Sequence, residues 1–197
     1  LDAVLAAAKE SGVFFNVIVC SDDPECWRLA VAGGAQYFER WAVPDTQPDV
    51  EWVKSVMDGV PRFDAFAILR PTTPFRAAIT IRHAFTRFTL PDQTADSIRA
   101  VEPCKQTPYK MWRLEHGCLP PLLAGTRADG VPWHSCPTQT TPKVYVQNSS
   151  LEMAWTSNVE GHGTIHGRKV APFFTGGHEG FSLDYPEDWE RAEALVA

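Results

Sequence analysis

The stretch Asp64-Ala-Phe-Ala-Ile-Leu-Arg-Pro-Thr-Thr-Pro-Phe-Arg76 decides the fold. Its first part, Ala65 to Leu69, is a short apolar run with the length and composition of a buried strand. The polar corner Arg70-Pro-Thr-Thr-Pro74 follows, in which the prolines fix φ and disfavour helix in the residues before them. Apolar residues then recur at helical spacing as far as Phe88. The pattern predicts a strand, a rigid corner and a helix, which is how open α/β sheets present polar groups at the carboxyl ends of strands.

The elements around this stretch predict an α/β fold. An amphipathic helix from Leu1 to Glu10 ends at Ser11-Gly12, and the β-branched and aromatic run from Val13 to Cys20 indicates a buried parallel strand. Alternating strands and helices imply a mostly parallel sheet with helices on both faces and right-handed crossovers. Further strands are expected at 35–39, 97–101, 143–152 and 168–174, and a loop at 40–49. Further helices are expected at 25–32, 50–60 and 186–195, the last with Trp189 facing inward.

A change in composition from residue 103 onward suggests an inserted segment. Prolines stand at positions 103, 108, 120, 121, 132, 137 and 142, with short apolar pieces between them. We therefore expect residues 1–102 and 143–197 to form the α/β domain, and residues 103–142 to form a protruding arm.

Composition excludes several classes of function. The 197 residues carry a net charge of −6 without a basic block, which argues against nucleic acid as a partner. The five cysteines are odd in number and lack metal-type spacing, which favours free thiols in a reducing cytoplasm. No apolar run is long enough to span a bilayer.

Several polar residues stand where a site would form. Asp184 follows an apolar pair and precedes the Pro186 helix, so its carboxylate can hold Mg²⁺ or, alternatively, cap that helix. Ser21 and Asp22 stand at the end of a buried strand, where a ligand could contact them; the alternative is that they cap the helix that follows. Arg70 can clamp a carboxylate or phosphate, or form a salt bridge with a neighbouring Asp.

Histidine gives no metal-type pattern. His162 and His166 are four residues apart, but Gly161, Gly163 and Gly167 argue against a helix at that point.

The corner Leu69-Arg-Pro-Thr-Thr-Pro-Phe-Arg76 resembles the Leu-Gln/Arg-Pro-Thr-Ser-Pro-Leu/Phe-Arg signature of the acylneuraminate cytidylyltransferases, the CMP-sialic acid synthetase family. Two other blocks are most similar to the bacterial type that makes CMP-legionaminic acid. They are Asp45-Thr-Gln-Pro-Asp-Val-Glu-Trp52 and Pro108-Tyr-Lys-Met-Trp112. Additional blocks in the family's order are Val19-Cys-Ser-Asp-Asp23, Gln139-Thr-Thr-Pro-Lys-Val-Tyr-Val-Gln-Asn148 and Ser182-Leu-Asp-Tyr-Pro-Glu-Asp-Trp189.

The resemblance implies an activity and partners. The expected fold is a Rossmann-like nucleotidyltransferase sheet with an inserted dimerisation arm. The expected reaction joins CTP to a nonulosonic acid, with Mg²⁺, to give the CMP-sugar and pyrophosphate in a cytoplasmic homodimer. Two alternatives stay open: a Kdo-type or other sugar nucleotidyltransferase, and a catalytically degenerate homologue that binds a sugar acid or a partner.

The resemblance also implies roles for particular residues. Asp184 matches the family's metal-binding and catalytic carboxylate, and Lys110 matches a sugar contact supplied across the dimer interface. For Lys110, Gln139 and Asn148, the alternative is a solvated polar residue. The expected nucleotide contacts are Cys20, Ser21, Asp22 and Thr72, and the expected sugar contacts are Arg70, Lys110, Gln139 and Asn148.

Three departures from the family pattern bear on activity. Ser182 stands where the family has a second Asp, and Thr138 stands where relatives have Arg. The basic, glycine-rich phosphate loop that follows the family's first strand has no counterpart. We expect that this strand and loop are missing from the present numbering, and that their absence leaves a gap in the core.

Overall fold

The computed structural model describes residues 1–40, 46–90, 92 and 94–196. It contains two compact units. One combines Leu1–Val101 with Asn148–Ala197, and the other is Glu102–Gln147. Part of the predicted loop at 40–49, and Asp45 of the resemblance, lie outside the described residues.

The first unit alternates helices and strands as the sequence predicts. The elements are α1 (Asp2–Ser11), β1 (Ile18–Ser21), α2 (Pro24–Ala32), β2 (Gln36–Glu39), α3 (Asp49–Asp58), β3 (Ala65–Ile68), α4 (Ala78–Phe88), β4 (Ser97–Pro103), β5 (Tyr145–Trp155), α5 (Ser157–His162), β6 (Val170–Phe174) and α6 (Pro186–Val196).

Local sequence explains where the first two helices begin and end. Gly12 terminates α1 in the left-handed conformation, at φ 65°, which costs glycine little. Asp23 caps α2 by accepting a hydrogen bond from the backbone N–H of Glu25 at 2.9 Å. Pro24 opens the same helix, where its fixed φ suits the first turn.

The strands form two sheets. β1 and β2 pair in parallel, from Ile18 opposite Gln36 to Ser21 opposite Glu39. The second sheet has the order β3-β5-β4-β6, in which β4 and β6 are parallel and β3 and β5 are antiparallel. The predicted α/β class is confirmed, with an antiparallel strand that the sequence did not reveal.

Helices cover both faces of the second sheet. Side chains of β3 alternate between two apolar clusters, because successive residues of a strand point to opposite faces. Ala65 and Ala67 pack against the cluster that contains Ile81, Ala84 and Phe88 of α4. Phe66 packs against the cluster formed by Val53 of α3, Ile68 and Val159 of α5.

A cavity of about 720 Å³ separates β1 from β3. Ile18 and Cys20 line it on one side, and every residue of Ala65–Ile68 lines it on the other. Consecutive residues of one strand reach both faces of a sheet, so the cavity runs along the backbone edge of β3. β1 and β3 are terminal strands of their sheets, so each presents an unpaired edge of the described fold.

Three sequence interpretations are wrong. The predicted strand from Val13 to Cys20 is reduced to Ile18–Ser21, because pairing with β2 begins at Ile18; Phe15 is 91% exposed. A helix forms at Ser157–His162 despite its glycines, and Gly163 ends it at φ 62°. Trp189, expected to face inward, is 61% exposed.

The second unit runs from the end of β4 to the start of β5 and contains little regular structure between these strands. Its backbone forms three single-turn 3₁₀ segments and an irregular hairpin, in which Trp112 and Pro121 form an antiparallel bridge. Cys136 is buried, and the rings of Trp112 and His134 lie 4.9 Å apart. Large apolar side chains are exposed on this unit: Trp112, Leu114, Leu119, Leu122 and Leu123.

Across the described ranges, no helix combines the length and apolarity needed to cross a membrane.

Candidate functional site

The polar corner contacts the segment that precedes α6. The backbone N–H of Leu183 donates a hydrogen bond to the carbonyl oxygen of Thr72 at 2.8 Å. Asp184 is the next residue along the chain. This bond therefore places the expected metal carboxylate beside the proline-braced corner.

Side chains strengthen the same contact. The ring of Phe75 lies 5.7 Å from that of Phe181 and 6.2 Å from that of His178. The hydroxyl of Thr80, in α4, donates to the carboxylate of Glu179. The corner, the start of α4 and residues 175–184 thus form one packed assembly.

Arg76 is the buried cation of this assembly. It is 3% exposed, and its guanidinium donates to the carbonyl oxygens of Ser150 and Arg70. Burial lowers its pKa to about 10, although the charge of Glu179 partly opposes this shift. The guanidinium therefore links the corner to β5 and, through charge, to Glu179.

Three buried polar atoms lie in these residues without a hydrogen-bond partner in the described structure. They are Nε of Arg76 and the hydroxyl oxygens of Thr73 and Ser150. Buried polar groups are normally paired, and functional sites are a usual place for exceptions.

The carboxylate of Asp184 is exposed and does not cap α6. Asp188 fills that role, because its carboxylate accepts from the backbone N–H groups of Asp184 at 3.1 Å and Tyr185 at 2.9 Å. The hydroxyl of Ser182 donates to Asp184 at 3.0 Å. Asp184 consequently keeps oxygen atoms facing solvent, where a ligand can reach them.

Arg70 is held by two carboxylates. Its Nη2 donates to Asp49, at the start of α3, and lies 3.7 Å from Oε1 of Glu152 in β5. Glu152 also pairs with Arg99 of β4. The salt-bridge alternative for Arg70 is therefore observed, and the partners include a Glu as well as an Asp.

The turn after β1 is fixed by its own neighbours. The hydroxyl of Tyr37 donates to the carbonyl oxygen of Ser21 at 2.7 Å, and Asp22 forms an ion pair with Arg40 at 3.6 Å. Burial raises the pKa of the Cys20 thiol; Arg40 partly opposes this effect and Asp22 adds to it. A raised pKa argues against a thiolate nucleophile at Cys20.

The remaining predicted residues fall in different places. Asn148, at the first unit's side of β5, is half-buried and donates to the hydroxyl of Thr175 at 2.8 Å. Lys110 and Gln139 are exposed residues of 3₁₀ turns in the second unit. Within the first unit, the structure joins the segments of Thr72 and Asp184, and it connects Asn148 to the end of β6.

The large cavity is not this site. Its lining extends from Phe15 and Phe63 to Cys20 and Ile68, and it includes neither the corner beyond Ile68 nor residues 175–184. Volume alone would therefore select a region that contains Cys20 but neither Thr72 nor Asp184.

Several residues that hold the candidate site in place were not identified from the sequence. The capping role of Asp188 could have been found, since it is the third residue of a helix that opens with Pro186. Asp49, Glu152 and Arg99 gave no signal, because their partners are distant in sequence.

Mg²⁺ fits the residues present. No group of three or more His, Cys, Asp or Glu residues with metal-site geometry occurs among the described residues. Mg²⁺ commonly uses one or two carboxylates together with substrate phosphates and water, so an exposed Asp184 is a suitable protein ligand.

Comparison with known proteins supports the fold. No family model matches the chain, and no curated protein matches it. The chain is similar to a structure of CMP:2-keto-3-deoxy-manno-octonic acid synthetase in complex with CTP, with a TM-score of 0.65 and 11% identity, over 98% of this chain and 87% of that one.

Two further solved structures give the same result. The 4-diphosphocytidyl-2C-methyl-D-erythritol synthase from Anaerococcus prevotii has a TM-score of 0.64 at 9% identity, over 99% of this chain and 87% of that one. Another synthase of the same name has a TM-score of 0.64 at 12% identity, over 100% and 88%. All three proteins are named for CMP or cytidyl products, and at these identities the likeness shows a shared fold.

Proposed function

We propose that the protein is a cytidylyltransferase that activates a nonulosonic acid with CTP. The observation that carries the proposal is the hydrogen bond between Leu183 and Thr72. It joins the corner to the segment of Asp184, in a fold shared with a protein that was solved in complex with CTP. Fold alone does not define an activity, so the proposal depends on these residues.

In the proposed reaction, the anomeric 2-hydroxyl oxygen of the sugar acid attacks the α-phosphorus of CTP. A bond forms between that oxygen and the phosphorus, and the bond to the oxygen that bridges to the β-phosphate breaks. Pyrophosphate leaves with the bond's electron pair, and the hydroxyl proton passes to solvent. The products are the CMP-sugar and pyrophosphate.

Asp184 would hold Mg²⁺, which when bound neutralises charge that develops on phosphate oxygens. The corner would hold the nucleotide through Thr72, whose carbonyl oxygen is already oriented by Leu183. The turn at Cys20, Ser21 and Asp22 would contribute backbone groups to the nucleotide base.

Arg70 would receive the carboxylate of the sugar acid. The hydrogen bond that the described structure assigns to its guanidinium uses Nη2. Nε and Nη1 therefore remain as single donors to a carboxylate, and hydrogen bonds between two charged groups are stronger than neutral ones. Asn148, Lys110 and Gln139 would be further sugar contacts.

The proposal includes the first strand and phosphate loop that the resemblance implies. The cavity between β1 and β3 supports it, because an additional strand there would satisfy both unpaired edges. We also propose a homodimer through the second unit, supported by its exposed side chains Leu114 and Leu119.

The test uses a gene product that retains any residues encoded ahead of Leu1. Pyrophosphate release would be measured with CTP, Mg²⁺ and a panel of acids, and the product identified by mass spectrometry. We expect a CMP-sugar from a nonulosonic acid, whereas turnover with Kdo alone would replace the proposed substrate.

A second function, binding of a sugar acid or partner without catalysis, is favoured by Ser182 and Thr138. Failure of that gene product to bind CTP in the presence of Mg²⁺ would establish this alternative in place of catalysis.

A further inference from the structure

A chain of polar contacts runs behind Arg70. The indole Nε1 of Trp52 donates to Oδ1 of Asp49 at 2.9 Å, and Nη2 of Arg70 donates to Oδ2 of the same carboxylate. Both oxygens of Asp49 are therefore occupied. Because Asp49 begins α3 and Arg70 follows β3, the contact fixes a helix start against a strand end.

The same nitrogen of Arg70 also lies near β5, which is tied in turn to β4. Glu152 lies 3.7 Å from Nη2 of Arg70 through Oε1, and its Oε2 accepts from Arg99. Glu152 is the least exposed of these charged side chains, at 16%. Arg70 is consequently restrained from two elements, and its guanidinium has little freedom to rotate.

The electrostatics favour a charged Asp49. Burial alone would raise its pKa, but hydrogen bonds from Trp52 and Arg70 and the charges of Arg70 and Arg99 outweigh burial and lower it. The amino end of α3 adds further stabilisation for an anion. Asp49 is thus a permanently charged anchor at neutral pH.

We propose that Asp49 is a positioning residue that orients Arg70 toward the carboxylate of the acid substrate. The inference rests on the proposed function. Anchoring at Nη2 leaves Nε and Nη1, which lie on either side of Cδ, as the donors that can each give one hydrogen bond to the ligand. Asp49 touches neither substrate; it sets the direction in which Arg70 donates. An arginine held from behind loses less side-chain entropy when it binds a carboxylate.

The test compares the acid substrate with its uncharged carboxamide analogue, using the same gene product and saturating CTP. In the unmodified enzyme we expect a strong preference for the acid. Asp49→Asn should raise KM for the acid by up to about a hundredfold, because misplacement of a positioning group has costs of that order. KM for CTP should change by less than about twofold.

Controls separate positioning from stability. Glu51→Gln removes a neighbouring exposed charge from α3 and should change neither KM. Trp52→Phe removes the indole donor to Asp49 and should reproduce part of the Asp49→Asn effect. A spectroscopic readout follows, since acid binding should alter Trp52 fluorescence in the unmodified enzyme and not in Asp49→Asn.

Two failures are distinguishable. If the unmodified enzyme turns over no acid of the panel, the proposed function fails. If it does, but Asp49→Asn leaves the preference for acid over carboxamide unchanged, or raises KM for CTP equally, the proposed function stands and the positioning role is overturned.

Discussion

The backbone N–H of Leu183 donates to the carbonyl oxygen of Thr72 at 2.8 Å, and this bond joins two segments that are distant in sequence. Thr72 lies in a corner that prolines stiffen, whereas Leu183 belongs to an irregular segment before α6. The rigid partner therefore determines where the irregular one lies, and Asp184 follows Leu183 directly. Geometry at the site depends on a backbone bond that any side chain at these positions could make.

Leu183→Pro should uncouple the two segments, because proline lacks the N–H that Thr72 accepts. Leaving the Thr72 carbonyl without this partner should cost about 1–3 kcal/mol of unfolding free energy. The proposed cytidylyl transfer should fall by up to about a hundredfold through misplacement of Asp184. Leu183→Ala keeps the N–H and is the matched control. Equal loss in both variants, by pyrophosphate release and urea unfolding, would show that the side chain matters and the backbone bond does not.

Asp184 and Asp188 should separate function from stability. Asp184→Asn removes an exposed carboxylate that does not cap α6, so Mg²⁺-dependent turnover in the proposed reaction should fall at least about a hundredfold while the melting temperature stays constant. Asp188→Asn weakens acceptance from two backbone N–H groups, so it should destabilise α6 by about 1 kcal/mol and leave the Mg²⁺ requirement unchanged. Mg²⁺ titrations and thermal melts of both variants check this, and a reversed pattern would assign the metal to Asp188.

The sequence predicted the elements better than their partners. α1, α2, α3 and β3 lie within two residues of their expected bounds, because each has a cap, a glycine stop or an apolar run of clear length. The predicted strand at 13–20 failed at its start because a strand needs a pairing neighbour, and apolar composition does not supply one.

The candidate site was also predictable only in part, because its residues are brought together by the tertiary fold. A proline-braced corner and a late carboxylate are local patterns, so Thr72 and Asp184 stood out singly, and their roles remain proposals. The ion pairs of Arg70 with Asp49 and Glu152 join three elements through the tertiary fold. A single sequence holds no record of such distances. Local patterns can also mislead. The glycine at position 163 argued against a helix in this segment, whereas in the structure it is the residue at which α5 ends.

Ser182→Asp should increase Mg²⁺ affinity. Ser182 donates to Asp184 at 3.0 Å, so a carboxylate at position 182 would lie beside that of Asp184. Two carboxylates attract a divalent cation more strongly than one, and the repulsion between them is relieved when Mg²⁺ binds. The Mg²⁺ concentration for half-maximal turnover should fall several-fold, while Ser182→Ala changes it little. A rise in that concentration would place the cation away from residue 182.

Arg76 should cost stability at neutral pH while Glu179 limits that cost. Its pKa falls on folding from the ordinary arginine range to about 10, so burial of the charge opposes folding by roughly 3 kcal/mol at neutral pH, and the cost is relieved as pH rises through that value. Glu179→Gln removes the opposing charge and should destabilise the protein, because the charge of Glu179 partly offsets the burial of Arg76.

Arg76→Met in the Glu179→Gln background should therefore restore stability, although it leaves the carbonyls of Ser150 and Arg70 without their donor. Urea unfolding of the two single variants and the double variant measures the coupling. We expect the double variant to be more stable than Glu179→Gln alone. Its turnover should nevertheless be low, because the corner has lost the hydrogen bonds that Arg76 donates to the carbonyl oxygens of Ser150 and Arg70. Additive free energies would mean that Arg76 and Glu179 act independently.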